Sequence, residues 1–440
     1  MSRKTVLRVA GTGLALACLM GMALAVPRPT RPPAEAWAAP DLDVTDAAIA
    51  WFETKLAADP TNPLLAAHLT SRYMGRFGLS ADLGDVERAE RLARALVPLS
   101  RDQARAWTRL SAVLLARHAF ADALAAARRA VAADSADADA WGALYDAGFA
   151  SGSYAEAEHA LARLDPGVAR RVREAFWLNA RGEADRAAAR LREACRTIAG
   201  WNGRETTAAW CLTEMGHVEL ARKGPSAAAT LYATALVVFP GYRPAVEGLA
   251  DLAHARSDWS EAERLYRRIA VDAHPDLYLR LAETRRMQGD PAGGAAWERK
   301  FLRVATAPGA EPLYAHPLAL FHAQRAETQG RALAVARRDV RRRPTVESWD
   351  VLAWVRFRRG ELGKALAASD RALAWGAPSP TMQYHRARIL ASLGRSLEAA
   401  PLLERALEEP ALLDPHARIE TVRHAQARQP HGPIAPAGGA

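Results

Sequence analysis

The chain has 440 residues, half of them hydrophobic, but only 7% are aromatic and alanine supplies much of the apolar content. Alanine favours helices and lets them pack closely, so this composition argues against a thick β-sheet core and predicts an all-helical protein. The 59 basic and 49 acidic residues give a net charge of +10, and five of the positive charges lie before residue 32. The remainder is only mildly basic and carries no recognition motif, so we expect no nucleic-acid partner.

Residues 1–26 have a basic start and then an uncharged apolar stretch over residues 9–26. Small residues near the end of this stretch predict a cleaved signal peptide, while its length also suits an uncleaved membrane anchor. A lipid-modified Cys18 is a third alternative, which the flanking residues fit least. All three place the rest of the chain outside the cytoplasm, in the periplasm of a bacterium. The proline-rich residues 27–45 are expected to be a linker.

From about residue 46 onward, a helix-turn-helix pattern recurs at an interval of 34 residues. Large residues hold one position of the first helix, as Trp107, Trp141 and Trp349 do, and we expect these tryptophans to be buried in the core. Small residues hold a position of the second helix: Ala123 and Ala157, Ala228 and Ala262, Ala365 and Ala399. Small side chains let neighbouring helices approach closely, and a glycine between the two helices permits the turn.

This pattern resembles the tetratricopeptide repeat, whose 34-residue unit has the same large and small positions. The resemblance implies an all-α, right-handed superhelical solenoid of about nine to ten helix pairs with a concave inner groove. We divide it into an N-terminal array, a loop, a central array, a loop, and a C-terminal array with a capping helix: residues 46–198, 199–208, 209–305, 306–312 and 313–428. A disordered tail is expected over residues 429–440.

The repeats leave little chain for a catalytic domain, and common enzyme motifs are absent from the sequence. We therefore expect a non-catalytic protein that has no cofactor, metal site or small-molecule substrate. A hidden hydrolase is the alternative. It requires four side chains of the central array to converge: His217, Glu247, Asp251 and His254.

The resemblance implies a protein or peptide partner bound in the concave groove. Exposed aromatic and arginine side chains dominate binding hot spots, and five occupy groove-facing positions of the C-terminal array: Trp354, Phe357, Arg358, Tyr384 and Arg388. Three more groove candidates lie in the central array: His217, Asp251 and His254. For each aromatic residue, packing against a neighbouring helix is the alternative. An envelope-assembly factor anchored in the membrane and a binder of cell-wall glycan or acidic polymer are alternative functions.

Cys195 and Cys211 are 16 residues apart. In an oxidising compartment these two cysteines are disulfide candidates. Two buried thiols that act as small apolar side chains are the alternative.

Overall fold

The computed structural model describes residues 40–80, 82–200, 205–270, 274–414, 416–418 and 420–421. The expected signal segment or anchor (residues 1–26) and the expected tail (residues 429–440) lie outside the described residues. The first described helix already begins at Pro40. The last residues of the expected linker, 27–45, are therefore helical.

A leading helix, α1 (Pro40–Ala58), is followed in the described chain by ten helix pairs. The N-terminal array contains α2 (Pro63–Ser80), α3 (Leu83–Leu99), α4 (Gln103–Ala116), α5 (Phe120–Ala133), α6 (Ala138–Ser151), α7 (Tyr154–Arg163), α8 (Val168–Ala180) and α9 (Ala184–Ala199). The central array contains α10 (Glu205–Lys223), α11 (Pro225–Val238), α12 (Arg243–Ala255), α13 (Trp259–Ile269), α14 (Asp276–Met287) and α15 (Pro291–Ala305). The C-terminal array contains α16 (Ala315–Ala323), α17 (Gln329–Arg342), α18 (Val346–Arg358), α19 (Leu362–Ala372), α20 (Pro380–Ser392) and α21 (Ser396–Leu407).

The two helices of each pair pack against each other, and each pair packs against the next. No strand occurs among the residues described. The all-α helix-pair solenoid expected from the sequence is confirmed. A 3₁₀ turn, Pro410–Leu412, follows the last pair.

Short polar residues and glycines define many of the helix ends. Asp290, Thr345 and Ser379 each precede a helix and accept a hydrogen bond from the backbone N–H three residues later. Such caps satisfy N–H groups that have no partner within the helix. Gly152 ends α6 with φ of 80°, a left-handed conformation that other residues rarely adopt.

The alanines that carry the 34-residue interval are buried between packed helices. None is more than 5% exposed: Ala123, Ala157, Ala228, Ala262, Ala365 and Ala399. A larger side chain at these positions would separate the helices, because interiors are packed as densely as organic crystals. The recurring small residues therefore set the stacking distance of the solenoid.

The early tryptophans of the repeats are only half-buried, in contrast to the fully buried core position that we expected. Each packs on a core cluster with one face. The guanidinium of an arginine 22 residues later lies over its ring, at 4.7 Å for Trp107 and Arg129, 5.5 Å for Trp141 and Arg163, and 5.8 Å for Trp349 and Arg371. A cation–π contact thus recurs with the repeat.

A disulfide joins the N-terminal array to the central array. The sulfurs of Cys195 on α9 and Cys211 on α10 are 2.02 Å apart. Of the two alternatives for these cysteines, the structure contains the covalent bridge. It ties together the two helices at the insertion. The loop expected over residues 199–208 is shorter than predicted, because α9 extends to Ala199 and α10 begins at Glu205.

The C-terminal array folds back onto the N-terminal array. Trp375, in the turn after α19, stacks on Tyr154 at a centroid distance of 3.7 Å and meets Trp177 edge-on at 5.1 Å. Next to it, the backbone N–H of Ala377 donates to the carbonyl of Ala180. The solenoid therefore closes on itself, and the inner groove is not an open channel along its whole length.

Candidate functional site

The last described residues of the chain leave the stack and enter the inside of the superhelix. We call residues 409–421 the C-terminal segment. Its 3₁₀ turn contacts α10 and α12 of the central array. The following residues pack against α18 and α20 of the C-terminal array. We expected this part of the chain to form a helix that caps the end of the stack. Its described residues instead bridge the central and C-terminal arrays.

The segment rests on the aromatic cluster that the sequence indicated as a groove surface. We call the five residues of this cluster the α18–α20 groove: Trp354, Phe357, Arg358, Tyr384 and Arg388. The rings of Trp354 and Phe357 stack at 4.9 Å. Leu413 and Ala417 of the segment pack on Trp354 and Tyr384.

The expectation that these aromatic residues are exposed is wrong for two of them. Trp354 is 1% exposed and Tyr384 is 2% exposed, while Phe357 is half-buried. The C-terminal segment contributes to this burial, since Leu413 and Ala417 share their hydrophobic cluster. Neighbouring helices contribute as well, as the alternative predicts, because Ala406 of α21 belongs to the cluster and His385 of α20 stacks on Trp354 at 4.2 Å. Their role as partner contacts stays a prediction, and it requires the segment to move.

Both groove arginines bind one carboxylate of the segment. Glu420 accepts hydrogen bonds from Arg358 Nη1 at 2.5 Å, from Tyr384 Oη at 3.1 Å and from Arg388 Nη1 at 3.3 Å. Burial and the negative charge of Glu420 raise the pKa of Tyr384 to about 12. Charge-assisted hydrogen bonds of this kind are the stronger class of polar contact.

Arg418 carries the positive charge of the segment, and it is only 3% exposed. Its guanidinium donates to the carbonyls of Leu413 at 2.7 Å and Pro410 at 3.1 Å, within the segment itself. It also reaches the carbonyl of Asp251 at 3.4 Å and lies 3.1 Å from Nδ1 of His254. Burial and the charge of Arg418 lower the pKa of His254 to about 3, so the imidazole is neutral and accepts the hydrogen bond.

His416 of the segment ends a chain of three polar side chains that starts on α18. Asp350 Oδ2 lies 2.8 Å from Nδ1 of His385, and Nε2 of His385 lies 2.9 Å from Nε2 of His416. Burial and the proximity of His385 lower the pKa of His416 to about 4. Sequence reasoning missed this chain because its members are 35 and 31 residues apart.

The four candidates for a hidden hydrolase lie near enough for Glu247 and Asp251 to raise the pKa of His217, but each has its closest charged partner outside the set. Arg280 binds Glu247 at 3.0 Å and Asp251 at 2.7 Å, so both carboxylates are paired with a cation. His254 faces Arg418, and the nearest acidic partner of His217 is Glu214, at 3.5 Å. Among the described residues, no group of three or more histidines, cysteines and acidic residues is arranged to hold a metal ion.

A cavity of about 450 Å³ lies beside the C-terminal segment, between the three arrays. Four histidines line it: His118, His274, His316 and His416. His316 Nε2 lies 2.8 Å from Asp339, and Ser348 donates to the same carboxylate. Burial raises the pKa of Asp339, but His316, the charge of Arg343 and the hydrogen bond from Ser348 bring it to about 2.

Seven of the eight groove candidates thus surround a single segment. The five residues of the α18–α20 groove hold Leu413, Ala417 and Glu420, while Asp251 and His254 meet Arg418. His217 is the exception. The sequence did not indicate that the C-terminal segment binds here, because the segment and the residues that it contacts in the central array are more than 160 residues apart.

No protein-family model matches the chain. A search of curated proteins finds no match either. No described helix combines the length and the apolar character that a membrane span requires.

Several solved structures are similar to the chain in fold. Human IFIT1, in a dimer with PPP-AAAA, is 16% identical over 71% of this chain and 72% of its own, with a TM-score of 0.46. Yeast Tom70 is 13% identical over 88% and 92%, with a TM-score of 0.36. A tetratricopeptide repeat protein from Parabacteroides merdae is 14% identical over 59% and 98%, with a TM-score of 0.32. Because these TM-scores are below 0.5, the fold assignment rests on the helix pairs of the chain itself.

Proposed function

We propose that this chain, a tetratricopeptide-like repeat protein, is a non-catalytic scaffold that binds a protein or peptide partner in its inner groove, outside the cytoplasm. One observation carries the proposal: the groove residues indicated by the sequence already hold a peptide segment, the chain's own. The α18–α20 groove offers an aromatic platform beside two arginines. These are the residue types that provide most of the binding energy in protein interfaces.

The surroundings of Asp251 support a binding role over a catalytic one, whereas burial raises the pKa of the neighbouring Glu247, which Arg280 also binds. A general acid or base needs a carboxylate or imidazole that can exchange a proton with a substrate. Asp251 is instead held by Arg280 and Tyr266, and its pKa is lowered because the charge of Arg280 outweighs the effect of burial. A carboxylate held in this way shapes the groove and does not act as a proton acceptor.

Two features support a location outside the cytoplasm. The uncharged apolar stretch over residues 9–26 follows basic residues, as in exported proteins. The Cys195–Cys211 disulfide suits an oxidising compartment. The alternatives of an anchored envelope-assembly factor and a glycan binder share this location and differ in their partner.

A photo-crosslinking experiment in the source cells tests the proposal. A photoreactive amino acid replaces Gln324, an exposed residue that lines the cavity, or, as control, Lys364, which is 67% exposed on α19. We expect protein adducts from the cavity position and few from the control position. Adducts only at Lys364, or glycan fragments in place of protein at Gln324, would contradict the proposal.

A fractionation experiment tests the location. We expect the protein in the periplasmic or membrane fraction and not in the cytosol. Recovery in a carbonate-washed membrane pellet identifies the anchored form, whereas recovery in the soluble periplasm identifies the cleaved form.

A further inference from the structure

We infer that the C-terminal segment is a built-in ligand of the α18–α20 groove, and that the external partner is a peptide of the same chemistry that binds by displacing it. The segment and the partner peptide would share four residues at fixed spacing. These are a leucine, an alanine four residues after it, an arginine directly after the alanine, and a glutamate two residues after the arginine. In this chain they are Leu413, Ala417, Arg418 and Glu420. The inference rests on the proposed function and specifies the class of partner.

The apolar part of the segment fits the groove as an anchor. Leu413 is 2% exposed and Ala417 has no exposed surface. Both share a cluster with Trp354 and Tyr384. The small side chain of Ala417 allows the backbone to approach the tryptophan ring, so a larger residue in a partner peptide would fit less well.

Arg418 holds the segment in its bound shape. Its shortest hydrogen bond goes to the carbonyl of Leu413, at 2.7 Å, and another goes to the carbonyl of Pro410, both within the segment itself. A guanidinium has five donors in a fixed arrangement and can satisfy several carbonyls at once. A partner peptide with arginine at this position can form the same turn, and the carbonyl of Asp251 and the neutral His254 are left to receive the remaining donors.

Glu420 binds at the edge of the groove, where water can compete. The side chains of Arg358 and Arg388 are 28% and 29% exposed. Ion pairs that solvent reaches are weaker than buried ones, so this end of the segment can detach first. Reversible release from this edge would uncover Tyr384 before Trp354.

The segment also forms a wall of the cavity. Asp414 and His416 line the cavity of about 450 Å³, and the backbone N–H of Asp414 donates to Thr381 on α20. Displacement of the segment would therefore join the cavity to the α18–α20 groove. A partner longer than the segment would gain contacts that the segment does not make.

The tether to α21 determines how strongly the segment competes. A segment attached through a short connection has an effective concentration on the order of millimolar. An external peptide of equal intrinsic affinity must exceed that concentration to displace it. We therefore expect the intact protein to bind the isolated segment sequence only weakly.

Cleavage after folding is the central experiment. A protease site is inserted after Glu408, which is exposed, so that the full chain folds before it is cut. The probe is a fluorescent synthetic peptide with the sequence of residues 409–421. We expect binding to the cut protein at least about tenfold tighter than to the uncut protein. Peptides with Arg418→Ala or Glu420→Lys should bind the cut protein at least about tenfold more weakly than the unaltered peptide.

A second variant avoids cleavage. In the intact chain, Glu420→Lys places a positive charge opposite Arg358 and Arg388 and should loosen the segment, so that the probe binds. Glu398→Lys is the matched control, because Glu398 is exposed on α21 and pairs only locally with Arg395. The control variant should bind the probe as weakly as the unaltered protein.

The outcomes separate this inference from the proposed function. Failure of the cut protein to bind the probe, or equal binding of all three peptides, overturns the inference. If protein adducts still form at Gln324 in that case, the scaffold function stands and only the partner class is wrong. If neither experiment detects binding, the proposed function falls as well. Should Glu420→Lys fail to fold, as judged by circular dichroism, the cut protein decides.

Discussion

Tyr232 shows at the scale of single residues how the repeats reach their close packing. Its ring lies between Gly216 on α10 and Gly248 on α12, and the side chain is 1% exposed. A Cβ atom at Gly216 would lie 2.3 Å from Tyr232 Cε1, and one at Gly248 would lie 2.6 Å from Cε2. Both glycines leave room for the ring, although glycine within a helix has an entropic cost.

We expect Gly216→Ala to lower the free energy of unfolding by about 1–3 kcal/mol, because the added methyl group overlaps the ring of Tyr232. Gly75→Ala on α2 is the matched control, since no atom lies within 4 Å of its Cβ position. There the substitution should raise the free energy of unfolding by up to about 1 kcal/mol. Urea unfolding measures both, and equal effects at the two sites would refute the packing argument.

Three histidines that contact the interior are uncharged in the folded protein. Burial lowers the pKa of His118 to about 4, of His254 to about 3 and of His416 to about 4. Nearby cations or a second imidazole lower each value further. In the unfolded chain the same groups titrate near 6.5.

The folded state therefore binds fewer protons than the unfolded state between about pH 4 and pH 6.5. The stability that these histidines contribute is complete above pH 6.5 and is lost as the pH falls toward 4. We expect the melting temperature to decrease as the pH is lowered from 6.5 to 4. His416→Gln should reduce the slope of the free energy of unfolding against pH by up to roughly 1.4 kcal/mol per pH unit. His159→Gln, at an exposed histidine, is the control, and an identical change there would contradict the assignment.

At the scale of helices, the junction between α9 and α10 differs from the other junctions because it is covalent. The Cys195–Cys211 bridge spans the longer connection that interrupts the 34-residue interval. A longer connection gives the unfolded chain more freedom at this point. The crosslink removes part of that freedom.

Replacement of both cysteines by serine should lower the free energy of unfolding by roughly 3 kcal/mol, the value expected for a loop of this size. A reducing agent should produce a similar loss in the unaltered protein and no further loss in the double variant. Calorimetric melting curves measure both effects. Equal stability with and without the reductant would show that the bridge contributes nothing.

At the scale of the whole molecule, a contact between the N-terminal and C-terminal arrays holds these two arrays together. Trp375 lies among Tyr154, Trp177 and Phe149 at centroid distances of 3.7, 5.1 and 5.8 Å. The hydroxyl of Tyr154 also accepts a hydrogen bond from the backbone N–H of Val346. Repeat stacks are otherwise held by neighbouring units, so this contact and the others between distant repeats resist opening.

We expect Trp375→Ala to loosen the closure at a cost of roughly 2–3 kcal/mol for a half-buried tryptophan. Small-angle X-ray scattering should then show a larger radius of gyration with unchanged helix content. Trp51→Ala is the control, because Trp51 is 53% exposed on α1. An unaltered scattering profile for Trp375→Ala would mean that other contacts hold the arrays together.

The sequence by itself determined the helix pairs, their turns and their stacking. Alanines such as Ala123 and Ala365, and turn glycines such as Gly152, act on the helices directly next to them. Interactions of this kind are local, and their pattern is therefore visible along the chain. The sequence also indicated the aromatic and arginine cluster on α18 and α20.

Only the tertiary structure decided what covers that cluster. Arg418 meets His254 across 164 residues, and Tyr154 meets Val346 across 192. Each repeat is rotated slightly relative to the repeat before it. Whether two distant residues meet depends on the sum of these rotations over all the repeats between them. Because no local pattern encodes that sum, the closure of the solenoid and the seat of its C-terminal segment could not be predicted from the sequence.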